Sequence, residues 1–245
     1  MSKTQLQSPN ILSVAYWREA VSNFSKPQML VLAAIVVALR IAVKFFKIPI
    51  APGLSISADA YVNAVGSLIY GPAVGLAVGS LSDTLGYIVN PSGPYFFPFI
   101  FTEMGSSFIY GLFFWKRNPS ISRILVAKFT VNMICNVIMT SVFNKWMYLV
   151  FYGIDKAEAY NIINLTRIAK NLVLFPLESV LIAIVMGALL PSLSRMHLLS
   201  EIPDLKLKKR HYVAIIALTL FAVGLVLLYV FFLKDFVKSL NINFF

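Results

Sequence analysis

The chain has 245 residues, 59% of them hydrophobic and 13% charged, with 20 Phe and a formal net charge of +11. A soluble domain of that length has no interior large enough to hide so much apolar surface, which excludes a water-soluble globule and places the chain in a bilayer. The positive charge does not point to nucleic acid, because it is spread among short loops as a membrane topology requires and forms no basic stripe.

Seven apolar windows, 27–46, 58–71, 73–89, 97–115, 124–152, 166–190 and 211–233, compete for the length of about 20 residues that a helix needs to cross a bilayer. Residues 1–26 read as a cytoplasmic N-terminal segment carrying Lys3, Arg18, Glu19 and Lys26. It has no apolar run of a cleavable leader, so the first span is expected to act as the targeting signal. Within it, Tyr16 to Phe24 mixes aromatic and charged residues and reads either as an interfacial amphipathic helix or as an unstructured tail. In the first span Ala34, Ala38 and Ala42 recur every four residues, a small face onto which another helix can pack, from this bundle or from a separate membrane subunit.

The following stretch, KIPIAPGLSISADAYV, holds Pro49, Pro52 and Gly53 and is expected as an extended outer loop able to act as a lid. Gly71-Pro72 should end the second span and start the third inside the bundle. Pro91, Gly93 and Pro94 then predict a tight outer turn, and the third and fourth spans flank it. Residues 27–191 are thus read as a six-helix core, 192–210 as a basic cytoplasmic loop and 211–245 as an additional transmembrane helix with a short tail. With the N-terminus cytoplasmic, the inner segments hold 11 of the 21 basic residues while loops 90–96 and 153–165 add only Lys156, in line with the positive-inside rule. The single cysteine, Cys135, lies in an apolar span and is read as packing. The sequon at Asn164 is discounted.

Several pieces together resemble the substrate-binding S components of energy-coupling factor (ECF) vitamin transporters, above all the folate-type branch. They are AAIVVALRIAVKFFKI, the pair ISADAY and LIYGP, SLSDTLGY, the block PSGPYFFPFIFTEMGSSFIYG, and TRIAKNLVLFPLESVLI from Thr166 to Ile182. The resemblance implies an all-α integral membrane protein with a six-span core. That core would bind a vitamin and join one transmembrane coupling subunit and two ATP-binding cassette ATPases in a prokaryotic plasma membrane. No cofactor and no metal is implied. The chain departs from the folate-type pattern in placing Lys44 before Phe45 where that branch tends to have arginine, in reading YFFPF where it has Y-F-P-G-F, and in its seventh span. Lysine attracts an anion without the planar fork that grips a carboxylate, which leaves the vitamin open.

Ionisable groups at membrane depth are functional candidates by default. Asp83 and Tyr87 share a helix face just before Asn90, and Asp83 is read as either a cavity wall or the buried partner of a base such as Arg40. Tyr95 and Phe96 lead an aromatic cluster whose flat rings can hold a pterin or pyrimidine, against the plainer reading of an interfacial belt. Glu103, deeper, can bond a ring nitrogen or pair across helices. Asp59 and Asn63 begin the second span on one face, with exposure at the loop end as the rival reading of Asp59. Arg167, Lys170 and Asn171 open the sixth span and, with Lys44, would favour an anionic ligand; pairing with Asp155 and Glu158 is the alternative. Glu178 is read as a buried pairing residue and Lys47 as an interfacial anchor.

Together with these residues, the resemblance implies a vitamin-binding subunit for folate or a relative, with pantothenate or a thiamin precursor such as hydroxymethylpyrimidine as alternatives. The chain lacks a nucleotide-cradling G-x-x-x-x-G-K-[ST] loop, so energy must come from a partner. An intramembrane enzyme using Asp83 and Glu103 is disfavoured because His197 and His211 fall in the distant basic loop. A channel built on the NPS tripeptides at Asn90 and Asn118 fails because the two fall on opposite sides of the predicted topology.

Overall fold

In hydrocarbon every backbone N–H and C=O must find its partner within the protein, and for an apolar chain of this kind helices supply those partners locally. The computed structural model describes residues 10–51, 54–91, 93–117, 119–158, 160–162, 165–196, 198 and 209–228, and it is mostly helical. In chain order the elements are α1 (Val14–Ser22), α2 (Pro27–Lys44), a hairpin of β1 (Lys47–Ala51) and β2 (Leu54–Ser57), α3 (Asp59–Val89), α4 (Phe99–Phe114), α5 (Ile121–Val131), a π-helical segment (Asn132–Met139), α6 (Thr140–Tyr152), α7 (Ile154–Glu158), α8 (Leu165–Arg195) and α9 (Lys209–Leu228). The loop tip Pro52-Gly53, Asn118, Asn164, His197, Lys206, Lys208 and residues 1–9 and 229–245 lie outside the described residues.

Among the described residues four helical stretches, Pro27–Lys44, Asp59–Val89, Ile121–Tyr152 and Leu165–Arg195, are long and apolar enough to cross a membrane, and Phe99–Phe114 is a shorter apolar helix. The spans expected at 58–71 and 73–89 are two arms of α3. The break falls at Gly71, whose φ of 81° takes it out of the helix ahead of Pro72. Such a break orphans a carbonyl, and the sequence meets it from outside: Asn23 Nδ2 donates to the Tyr70 carbonyl at 3.1 Å, while Lys26 Nζ holds Asn23 Oδ1 at 2.9 Å. The Gly71 backbone lies against the Trp115 indole, where a Cβ would meet ring atoms at 2.7 Å.

The N-terminal stretch is a helix and not a tail. Ser13 caps α1 by accepting from Tyr16 N at 3.2 Å, and the buried face Tyr16 and Ala20 packs on Trp115 with ring centroids 4.9 Å apart. Glu19 also pairs with Lys116. The predicted lid loop forms an antiparallel hairpin, with Ile48 opposite Ile56, and Ile56 is buried in the main core with Tyr61, Leu68, Phe114 and Ile182. The predicted fifth span, 124–152, is helical throughout but passes through the π-helical segment Asn132–Met139. There Thr140 Oγ1 donates back to the Cys135 carbonyl at 2.8 Å, and Cys135 itself is buried. On α2, Ala33, Val36, Val37 and Arg40 face inward, while Ala34, Ala38 and Ala42 are exposed together with Val31, Ile35 and Leu39.

Close packing of α3 on α4 sets the geometry of everything between them. Gly75 and Gly79, four residues apart, share a face of α3. A Cβ at Gly79 would come within 2.7 Å of the Glu103 carbonyl oxygen and 2.8 Å of Met104 Cα, and one at Gly75 within 3.2 Å of the Ser107 carbonyl oxygen. Small residues at such a crossing let backbones touch where no hydrophobic effect drives helices together in lipid. Because the obstacle is backbone, Gly79→Val cannot be absorbed by a side-chain rotation. It should destabilise the fold by about 1–3 kcal/mol, as overpacking does, read as a lowered melting temperature of the detergent-solubilised protein.

Candidate functional site

Arg40 sits on the inward face of α2 with none of its side chain exposed. A guanidinium at that depth is tolerated only with counter-charges and hydrogen-bond acceptors gathered around it. Arg40 Nε and Nη2 grip Asp59 of α3 at 2.8 and 3.1 Å, Nη2 also reaches Glu103 of α4 at 2.5 Å, and Nη1 donates to Ser107 Oγ at 3.3 Å. The fork of arginine suits this two-oxygen contact in a way lysine cannot. Behind it, Ser107 Oγ donates to Asn63 Oδ1 at 2.8 Å and Asn63 Nδ2 to Ser106 Oγ at 3.0 Å, so α2, α3 and α4 are joined by one polar network.

This network forms part of the wall of a cavity of about 450 Å³ that reaches from the C-terminal ends of α2 and α3 down to α5, the π-helical segment and α8. That volume lies in the range of roughly 300–1,000 Å³ usual for small-molecule sites. Lys44, Asp59, Asn63, Asp83, Tyr87, Asn90 and Glu103 all line it. Lys44 is already engaged, 3.6 Å from Glu103 Oε1 and 3.4 Å from the Ser82 carbonyl. Asp59 is not left at an exposed loop end, since it is tied to Arg40, and Glu103 pairs across helices with the same residue. Asp83 does not partner Arg40; it faces the cavity without a hydrogen bond or ion pair among the described residues. Tyr87 donates its hydroxyl to the Gly93 carbonyl at 2.8 Å and packs on Tyr95 at 4.8 Å, fixing the turn after α3 against the cavity rim.

Tyr95 and Phe96 stand outside the lining. Tyr95 is exposed on the turn, and Phe96 is buried against Phe99, Trp146 and Phe151. Arg167, Lys170 and Asn171 line a second cavity of about 340 Å³ between α8 and the π-helical segment with α6, and Asn136 and Glu178 border both cavities. Arg167 Nη1 donates to Ser141 Oγ at 3.2 Å. Glu178 pairs with buried Lys128 at 3.1 Å and accepts from Asn132 Nδ2 at 3.4 Å. Asn136 Nδ2 reaches Asn132 Oδ1 at 3.2 Å and Asn171 Oδ1 at 3.4 Å.

The floor of the first cavity is built from residues with no obvious signal in the sequence. Lys128, Asn136, Ser106, Thr102 and Tyr110 all line it. Thr102, Ser106 and Tyr110 are four residues apart and make a polar stripe along one face of α4, a spacing that could have flagged them. The Tyr110 hydroxyl and Thr102 Oγ1 are buried and have no hydrogen-bond partner within the described chain. With two ion pairs at its ends, a free carboxylate at Asp83 and orphan hydroxyls on the wall between, the cavity can accept hydrogen bonds from a polar ring and return others to it.

A family model described as "ECF transporter, substrate-specific component" matches residues 28–200. The folate transporter FolT of Clostridium novyi is 28% identical over 119 residues, covering 49% of this chain and 64% of the relative. The folate transporter FolT of Leuconostoc mesenteroides subsp. mesenteroides is 31% identical over 111 residues, covering 44% and 58%. The chain thus spans about three-fifths of the length of these curated relatives. Among solved structures, that of FolT bound with folic acid superposes with a TM-score of 0.51 at 22% identity, covering 63% of this chain and 88% of the other, a likeness of fold.

Two substitutions separate structural from unengaged polar groups. Arg40→Met should lower stability by about 3 kcal/mol, because it leaves Asp59 as a partly buried carboxylate without its counter-charge and Glu103 with Lys44 alone. Tyr110→Phe should leave the ligand-free melting temperature unchanged or slightly raised, since its hydroxyl has no partner to lose. Thermal unfolding of both purified variants beside the parent checks the pair.

Proposed function

The chain belongs to the substrate-specific components of ECF transporters, and from that premise we propose that it is the vitamin-binding subunit of an ATP-driven uptake system, with folate or a close relative as its vitamin. The observation that carries the reading is the cavity of about 450 Å³ with Asp83 unpaired on its wall. An ionised carboxylate accepts only, so it selects a ligand edge rich in N–H donors, and the amino-pyrimidinone edge of a pterin is such an edge. The two folate-transporter relatives and the fold shared with FolT support the same choice.

Asp83, Asn63, Tyr87, Asn90 and the Lys44–Glu103 pair are proposed to surround the ring, with Arg40 and Asp59 acting as positioning residues behind them. The cavity opens at the end of the bundle formed by the close of α2, both ends of α3 and the start of α4. With the N-terminus cytoplasmic this is the outer side of a multi-pass cell-membrane protein. The β1–β2 hairpin would cover it, with Ser57 on the cavity wall. The exposed stripe Ala34, Ala38 and Ala42 is proposed to dock on the transmembrane coupling subunit, which two ATPases would drive. The seventh-span reading of α9 belongs to the same proposal.

Calorimetric titration of the purified protein with folic acid, pantothenate and hydroxymethylpyrimidine tests the vitamin. Folic acid should saturate a single site, and Asp83→Asn and Tyr110→Phe should each weaken it at least tenfold, about 1.4 kcal/mol. Saturation by pantothenate or hydroxymethylpyrimidine with no response to folic acid would reject the choice. Uptake into vesicles should cease when the partner ATPases are inactivated.

A further inference from the structure

The second cavity carries a sign opposite to the first. Four carboxylates, Asp59, Asp83, Glu103 and Glu178, border the first cavity against Lys44 and Lys128. The second is bordered by Arg167 and Lys170 against Glu178 alone, and Glu178 is already committed to Lys128 at 3.1 Å. Lys170 forms no hydrogen bond or ion pair among the described residues. Asp155 and Glu158, the acids that the sequence offered as partners, stand exposed on α7 and do not pair with it.

We propose that this basic chamber at the start of α8 receives the anionic end of an elongated ligand whose polar ring lies in the acidic cavity, an inference that rests on the folate reading above. Three observations place the two chambers end to end. Asn136 and Glu178 belong to both linings. Residues 167, 170, 171, 174 and 178 fall on one face of α8, so a single helix wall runs from the basic chamber to the acidic one. From Arg167 to Glu178 is 178 − 167 = 11 residues, about 16 Å of helix rise, which only an extended molecule bridges. The amide of Asn136, held by Asn132 and Asn171, stands at the junction and can bond a linking group. The class of ligand selected is a donor-rich heterocycle carrying a carboxylate tail, and the tail, more than the ring, is what Lys170 senses. Arg167, anchored on Ser141, presents its guanidinium from a fixed position beside it.

The test compares folic acid with the primary amide of pteroic acid, which keeps the ring and the benzoyl group but carries no carboxylate. The parent protein should bind folic acid at least tenfold more tightly than the amide. Lys170→Gln should erase that preference while leaving the amide within about twofold of the parent value, and Lys170→Arg should retain it. Melting curves of the ligand-free variants should match the parent's, as expected for a half-buried side chain with no partner among the described residues. Equal affinity of the parent for both compounds, or equal weakening of both by Lys170→Gln, overturns the tail chamber while leaving the folate reading intact. Absence of binding by either compound to the parent overturns the folate reading and this inference with it.

Discussion

A guanidinium buried among apolar helices organises this molecule. Arg40 has no exposed surface, and desolvating it is so unfavourable that the surrounding helices are constrained to bring it partners: Asp59 from α3, Glu103 and Ser107 from α4. Each contact fixes one helix relative to α2. Since Asp59 and Glu103 also stand on the cavity wall, the interaction that orders the bundle is the one that aims the acidic side of the site. Replacing the set by apolar residues could give an equally stable bundle, but the cavity would lose the fixed charges on its wall.

The glycines of α3 work on the same problem from the other direction. Gly75 and Gly79 let α4 approach until backbone meets backbone, and this close approach brings Glu103 and Ser107 within reach of a guanidinium on α2. A wider crossing would leave Arg40 partly unsatisfied. Gly71 contributes differently: its positive φ breaks α3 where Asn23 and Trp115 can cover the break, so the N-terminal helix becomes part of the core.

The membrane class, the position of most spans, the break at Gly71-Pro72 and the alanine stripe are readable in the sequence because each depends on local composition or on spacing along one helix. The two spans expected on either side of that break are present as the two arms of α3, and the far ends of both arms line the same cavity. The hairpin over 47–57 was hidden by its prolines, which argue against helix without specifying pairing. The π-helical segment left no compositional mark, although it sets Asn136, bonded to Asn132, on the wall of both cavities. Partners of charged groups were the least legible: Arg40 with Asp59 spans 19 residues and Lys128 with Glu178 spans 50, and no spacing rule links them. Tyr95 and Phe96 looked like ring-binding residues because aromatic clusters suit both ligands and interfaces; the fold turns one outward and packs the other among aromatics.

Polar satisfaction fails selectively in this structure. Around Arg40 and Lys128 the buried charges are paired, yet among the described residues Asp83 has no partner, and the hydroxyls of Thr102 and Tyr110 are orphaned on the same cavity. Orphan hydroxyls also occur elsewhere, at Tyr16, Tyr70 and Tyr160, so being orphaned marks nothing by itself. What sets Thr102 and Tyr110 apart is that they share a helix face with Ser106 and look onto space large enough for a ligand. A sequence under selection for stability alone would fill such a wall with apolar side chains, since unpaired buried polar groups each cost about 1–3 kcal/mol. Thr102 and Tyr110 therefore hold unused hydrogen-bonding capacity toward one cavity, which is the capacity the proposed ligand would use.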